Sequence, residues 1–256
     1  MTGLLLEVEN VCKSFGGLKA LQDICLGVRP GEVVALIGPN GAGKSTLLNI
    51  VNGFLQPTSG RVRLGGQDMT GRPVHQIARL GVGRTFQKIR VFKGLSVLDN
   101  VRMAVRDPVG AGDILFRSPK FLRLEREAAE RAAYLVDLVG LSARSGDMAV
   151  DLPYGQQRLM EIARGLAGSR RLLLLDEPGA GMNDEEMDSL QTLIRRIRRE
   201  FEVTILVVEH NVDFVLNLSD RIVVFDHGVV IADGTPAQVI ADPKVIEAYL
   251  GGKQHV

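Results

Sequence analysis

The sequence predicts an α/β protein: a mostly parallel β-sheet covered by helices, with a helical subdomain inserted into it. Three observations predict this class. First, short apolar runs end abruptly at a glycine or a charged residue: "EVVALIG" (Glu32–Gly38), "RLLLLDEP" (Arg171–Pro178) and "VTILVVEH" (Val203–His210). Continuous rather than alternating apolarity marks strands covered on both faces, as in a parallel sheet. Second, helix-like stretches intervene. "DEEMDSLQTLIRRIRREF" (Asp184–Phe201) opens on acids and closes on bases, which suits the helix dipole. Third, residues 89–152 contain no strong strand. There "SVLDNVRMAV" and "FLRLEREAAERAAYLVDLVGL" place apolar residues at helical spacing, and "RDPVGAGD" and "RSPK" have loop composition. After the last buried run, "RIVVFDHGVVIADG" predicts a hairpin turning at Asp226-His227-Gly228. Two short helices, "PAQVIA" and "PKVIEAYL", are expected in a tail over 236–256.

Composition narrows the functions. A chain of 256 residues suits one large domain with a sizeable core. The formal net charge of +1 gives no strong field toward nucleic acid or acidic lipid. The local run "RRIRRE" (Arg195–Glu200) reads as a solvated helix face. Cys12 and Cys25 make no disulfide framework, which fits a reducing cytosol. The first ten residues, "MTGLLLEVEN", turn acidic too early for a secretory signal. No run reaches the roughly 18 apolar residues that span a bilayer. A membrane role is therefore expected to work through a partner.

The chemistry is carried by "LIGPNGAGKST", Leu36–Thr46. Two glycines four residues apart, then Lys-Ser, between a strand and a helix, form a phosphate-binding loop. The loop residues Gly38, Pro39, Asn40, Gly41, Ala42, Gly43, Lys44, Ser45 and Thr46 are expected to hold a nucleotide. Glycines let backbone N–H groups approach phosphate, and the helix N-terminus adds partial positive charge. Lys44 is expected on the β/γ-phosphates and Ser45 on Mg²⁺. Asp176 ends an apolar run, where a carboxylate can hold Mg²⁺ through water. Glu177 follows as the candidate general base. His210 ends another such run, at the strand edge where parallel sheets bind ligands.

These motifs surround "LPYGQQRLMEIARGLAG", lying just before "LLLLDEP". The segment resembles the signature of ABC-transporter ATPase subunits, usually Leu-Ser-Gly-Gly-Gln. The resemblance covers essentially the whole chain. It is closest to the ATP-binding subunits of branched-chain amino acid importers, through "YGQQ", "GMN", "SDRIVV" and the ending "VIEAYLGG". It implies a RecA-like P-loop core with an antiparallel N-terminal β part, ATP and Mg²⁺ as cofactors, and ATP hydrolysis that powers transport. It further implies Phe15 stacked on adenine, Gln87 sensing Mg²⁺ and the attacking water, and His210 on the γ-phosphate. Asn183 stands where the family often has an aspartate facing the other subunit, and keeps hydrogen-bonding capacity without charge. Gly155 and Gln156 would offer donors to an ATP held by a second ATPase subunit. Pro153 stands where serine is usual and has neither hydroxyl nor backbone N–H, so a weaker composite site is expected.

The implied partners are integral membrane permeases, a second ABC ATPase subunit and, indirectly, a solute-binding protein, with no nucleic acid. The segment Ile89–Phe92 would dock a permease helix at the cytoplasmic face of the membrane. Readings left open are an ATPase of a lipid or lipopolysaccharide exporter, a regulatory ABC ATPase without a membrane partner, and a nucleotide-binding structural subunit. The solute, and whether the paired ATPase is identical, also stay open.

Overall fold

The chain begins as an antiparallel hairpin, β1 (Leu6–Phe15) against β2 (Leu18–Val28). Its residues come from the computed structural model, which describes 3–85, 87, 89–105, 118–169 and 171–250. Strand β3 (Val33–Ile37) is buried at all five residues and delivers the chain to α1 (Lys44–Val51). Strands β4 (Ser59–Leu64) and β5 (Gln67–Asp68) return to the first sheet, whose order is β2-β1-β4-β5 with antiparallel pairs. Helix α2 (Val74–Arg79) follows, and the short strand β6 (Val82–Arg84) carries the chain onward.

The described residues divide into two compact units, one of 3–82 with 171–250 and the other of 83–169. The second is helical. It holds α3 (Val97–Arg102), α4 (Pro119–Leu138) and α5 (Tyr154–Gly168). Val97, Val101, Ala132, Leu135, Val136, Met160, Ile162 and Leu166 form its buried apolar positions. The helical residues expected over 89–152 fall inside this unit, which continues to the end of α5. One local expectation is corrected. Ser118–Lys120 of "RSPK" is a helix start rather than a loop: the Ser118 hydroxyl accepts the Phe121 N–H at 3.1 Å, and Pro119 takes the first helical position. A proline there loses no helical hydrogen bond and arrives with its φ already set. The expected loop "RDPVGAGD" lies outside the described residues.

The chain then re-enters the first unit. Strand β7 (Leu172–Asp176) leads to α6 (Asp184–Phe201), β8 (Thr204–Val208) to α7 (Val212–Leu218), and β9 (Arg221–Asp226) to β10 (Val229–Gly234). Hydrogen-bonded neighbours run β10-β9-β3-β8-β7, parallel except for the β9–β10 hairpin. That hairpin turns at His227 (φ 43°) and Gly228 (φ 80°). Two consecutive left-handed residues match the right-handed strand twist, as in a type I′ turn. Helices α8 (Pro236–Ile240) and α9 (Pro243–Leu250) end the described chain, and 251–256 lie outside it. Every residue of β7 and β8 is buried, as continuous apolarity requires. The Arg195–Glu200 run, expected as a solvated face, is so only in part: Arg196 pairs with Glu200 at 2.7 Å, but Arg195 donates to the Asn217 carbonyl at 2.6 Å, Arg198 donates to the Gly31 carbonyl at 2.7 Å and pairs with Asp220, and Ile197 turns inward.

Candidate functional site

The phosphate loop leaves β3 and turns into α1 on three left-handed glycines, each required for its own reason. A Cβ on Gly38 (φ 142°) would stand 2.0 Å from the Phe225 carbonyl oxygen. One on Gly43 (φ 104°) would stand 2.7 Å from the Ala20 carbonyl oxygen and from Leu21 Cδ2. Gly41 (φ 82°) would meet nothing within 4 Å, so conformation alone selects it. Helix α1 begins at Lys44 with no side-chain cap, which leaves its first-turn N–H groups aimed at the loop. Such a terminus favours an anion. The Lys44 ammonium is buried and donates to the carbonyls of Gly38 at 2.6 Å and Pro39 at 2.9 Å. Burial pushes it below the usual lysine range, while Glu177 and then Asp176 pull the other way. Ser45 and Thr46 follow, half-buried.

Sheet register brings the acids to the same edge. Leu36 of β3 and Asp176 of β7 both stand opposite Val208 of β8. One to two residues later come Gly38, Glu177 and His210. Asp176 is 3% exposed and Glu177 is half-buried. Glu177 adopts a left-handed backbone (φ 49°), its N–H bonded to the Val208 carbonyl at 2.9 Å. A non-glycine residue held there is strained, and such strain clusters at functional sites. The His210 side chain is 65% exposed. Phe15, at the end of β1, is 46% exposed, so it is no core residue, and Lys13 Nζ sits 5.0 Å from its ring centre. A hydroxyl from Ser45 and a carboxylate from Asp176 are hard oxygen donors, the chemistry that suits Mg²⁺ completed by phosphate and water.

Gln87, Gly155 and Gln156 belong to the helical unit. Helix α5 has Pro153 as its N-cap (φ −54°, ψ 151°) and makes no side-chain cap bond. Proline therefore stands one position before the first helical residue, and Tyr154, Gly155 and Gln156 form the first turn, whose N–H groups have no intrahelical acceptor. Asn183 is itself the N-cap of α6: its Oδ1 accepts the Glu186 N–H at 3.0 Å, and the Glu186 carboxylate accepts the Asn183 N–H at 3.0 Å. This capping box occupies the amide oxygen.

Comparison with known proteins adds the decisive observation. Residues 21–180 match the model of the family described as ABC transporter, a span from the second strand past the phosphate loop, signature helix and Asp176-Glu177. The chain belongs to the ABC transporter family. As an ABC transporter ATP-binding chain it is an ATPase that binds nucleotide and works with membrane permeases. Residues 229–255 match a second model, described as Branched-chain amino acid ATP-binding cassette transporter. The high-affinity branched-chain amino acid transport ATP-binding protein BraF of Pseudomonas aeruginosa is 46% identical over 98% of this chain and 99% of its own. The corresponding LivG of Escherichia coli is 42% identical, with the same shares covered. A solved ADP conformation of an ATP-binding cassette of an ABC transporter superposes with a TM-score of 0.84, at 33% identity, over 98% of this chain and 100% of that one. No described helix is long and apolar enough to cross a membrane.

Several residues of this ABC ATPase escaped the sequence reading. Arg158 is fully buried on α5. It pairs with Glu161 at 3.1 Å, donates to the Gln87 carbonyl at 2.9 Å and reaches the Tyr154 hydroxyl at 3.1 Å. Arg164, six residues on, donates to the Arg90 carbonyl and lies 4.8 Å over the Phe92 ring. Burial lowers its pKa, against the pull of Glu161. Asn100, fully buried, accepts the Phe92 N–H at 2.9 Å and donates to the carbonyls of Phe92, Leu95 and Ser96. These three side chains hold Gln87, Arg90 and Phe92. Their sequence signal was only a charge or amide at an apolar helical position.

Proposed function

We propose that this chain is the ATP-hydrolysing subunit of an importer of branched-chain amino acids or a related amino acid or amide. The observation that carries the catalytic part is the shared strand edge, where the phosphate loop, Asp176, Glu177 and His210 follow strands in register at Val208. The importer part rests on the C-terminal family match and on the two relatives named for branched-chain amino acid transport.

In this reading the α1 N-terminus and the loop N–H groups bind the triphosphate, and Lys44 leaves its two carbonyls for the β/γ-phosphates. Phe15 stacks on adenine through its exposed face. Ser45 and Asp176, with Gln87, would hold Mg²⁺, which neutralises developing phosphate charge. Glu177 takes a proton from water as it attacks the γ-phosphate, and His210 donates to that phosphate. Gly155 and Gln156 cover the ATP of a second ATPase subunit. Ile89–Phe92, with Phe92 47% exposed, dock a permease at the cytoplasmic face, and a solute-binding protein delivers substrate to that permease.

The test is uptake of labelled leucine by host cells lacking this chain. The wild-type gene should restore uptake. Glu177→Gln should not, while the purified variant retains ATP binding and loses about a hundredfold or more in turnover. Normal turnover would remove Glu177 from the base role. Unrestored leucine uptake by an ATPase-active wild type would refute the solute class.

A further inference from the structure

Between the loop after Glu177 and His210 lies a buried acid with no assigned part. The Glu209 side chain is 1% exposed. Its Oε1 accepts the Gly179 N–H at 2.8 Å, and its Oε2 accepts the His210 N–H at 3.1 Å. Among the described residues its one neighbour able to carry positive charge within ion-pair distance is the His210 ring, with Nδ1 at 3.6 Å. Its own N–H points to the Leu36 carbonyl at 3.4 Å, on the strand that feeds the phosphate loop. The loop passes close to the carboxylate: a Cβ on Gly179 would lie 3.2 Å from Glu209 Oε1 and 2.2 Å from the flexible end of Met187.

An ionised carboxylate is expensive to bury without strong partners. Here two backbone donors meet its two acceptor oxygens. An amide cannot replace it, because its –NH₂ would face an N–H donor. A packing role would be met by an apolar side chain, so the chemistry chosen is that of a two-ended acceptor. Beside it a cavity of about 340 Å³ is lined by Gly181, Asp184, Glu209, His210 and Asn211.

We propose that Glu209 is a positioning residue for ATP hydrolysis. It ties the loop that leads from Glu177 to Asn183 to the backbone of His210, so that the two reach hydrolytic geometry together. The proposal rests on the hydrolytic reading of Glu177 and His210 given above. Glu209 acts through its two backbone partners.

The experiment compares wild type, Glu209→Gln and Glu209→Asp as full chains. Three quantities are measured: kcat for ATP hydrolysis, Kd for ATP, and Tm. Small misplacements of reacting groups cost up to about a hundredfold. We expect kcat to fall at least about tenfold in both variants, with Kd for ATP held within about twofold, because the phosphate loop is untouched. Aspartate, which keeps the charge but shortens the reach to Gly179, should lose turnover too. Unchanged kcat in both variants would overturn the proposal. So would kcat and ATP affinity falling together, or loss of the fold in both variants, since each assigns Glu209 to general support. Absence of hydrolysis by the wild type, with ATP still bound, would instead sink the hydrolytic reading, and this proposal with it.

Discussion

The two units are built on opposite terms. The sheet unit has a continuous apolar core, from Leu6 and Val8 through Leu36, Leu47 and Leu174 to Phe225, and keeps its polar chemistry at the strand edge. The helical unit buries a guanidinium at its centre. Arg158, at 0% exposure, is bonded through its two terminal nitrogens to a carboxylate, a carbonyl and a phenol. Apolar packing is tolerant and non-directional, so the sheet can present a rigid edge while its surface varies. A buried ion network is directional and fails when one member is lost. The sheet unit thus suits fixed phosphate chemistry. The helical unit ties the Gln87 and Arg90 carbonyls to the signature helix, and the Phe92 backbone to Asn100, through a few exacting contacts.

The largest effect that would sharpen this contrast is at Lys44. Lys44→Ala should abolish ATP binding in a titration yet leave the fold intact, because the residue serves the edge and not the core. An unchanged affinity would remove Lys44 from the phosphates. Next comes Arg158→Ala. It leaves Glu161 buried against its lost cation and should cost about 3–5 kcal/mol in denaturant unfolding. Arg158→Met with Glu161→Leu should recover most of that stability. A single-variant loss under about 1 kcal/mol would break the comparison, since the network would then be incidental.

A smaller effect is expected at Pro153. Pro153→Ser restores an N-cap hydroxyl, with about 1 kcal/mol of helix stability. If the signature turn contacts a partner's phosphate, kcat of the assembled transporter should rise about tenfold or more, since one hydrogen bond to a charged group is worth about 1.5–3 kcal/mol. Equal turnover by both forms would show that the missing hydroxyl does not limit catalysis. The smallest effect is a pH slope. Lys44 has a folded pKa below its unfolded value of 10.5, so between the two the unfolded state binds more protons. Stability should therefore rise with pH through that window. Lys44→Met should flatten the slope, and an identical slope in the variant would place its origin elsewhere.

Much of this was legible in advance where one residue type permits one backbone. Gly38 and Gly43 announce a loop that no side chain could enter, and Asp226-His227-Gly228 announces a hairpin turn. Helix α6 was readable end to end, because its first-turn acids and last-turn bases follow the dipole. "RSPK" misled because its serine and proline suit a loop and a helix start equally, and only the Phe121 N–H decides between them. Arg158 and Asn100 hid in helical stretches where polar residues normally face water. Glu209 hid inside an apolar run whose end was read at His210.

By itself, then, the sequence determined the α/β class, the phosphate loop and the residues of its chemistry. These rest on local rules: apolar period, glycine conformation and motif spacing. Only the tertiary structure decided that Asp176 and Leu36 share Val208 as their register partner, that Arg158 and Arg164 hold the Gln87 and Arg90 carbonyls, and that Glu209 faces two N–H donors. Apart from the bond of Glu209 to its neighbour His210, those relations join residues 30 to 172 positions apart, and nothing in local composition encodes which distant donor a buried acceptor will meet.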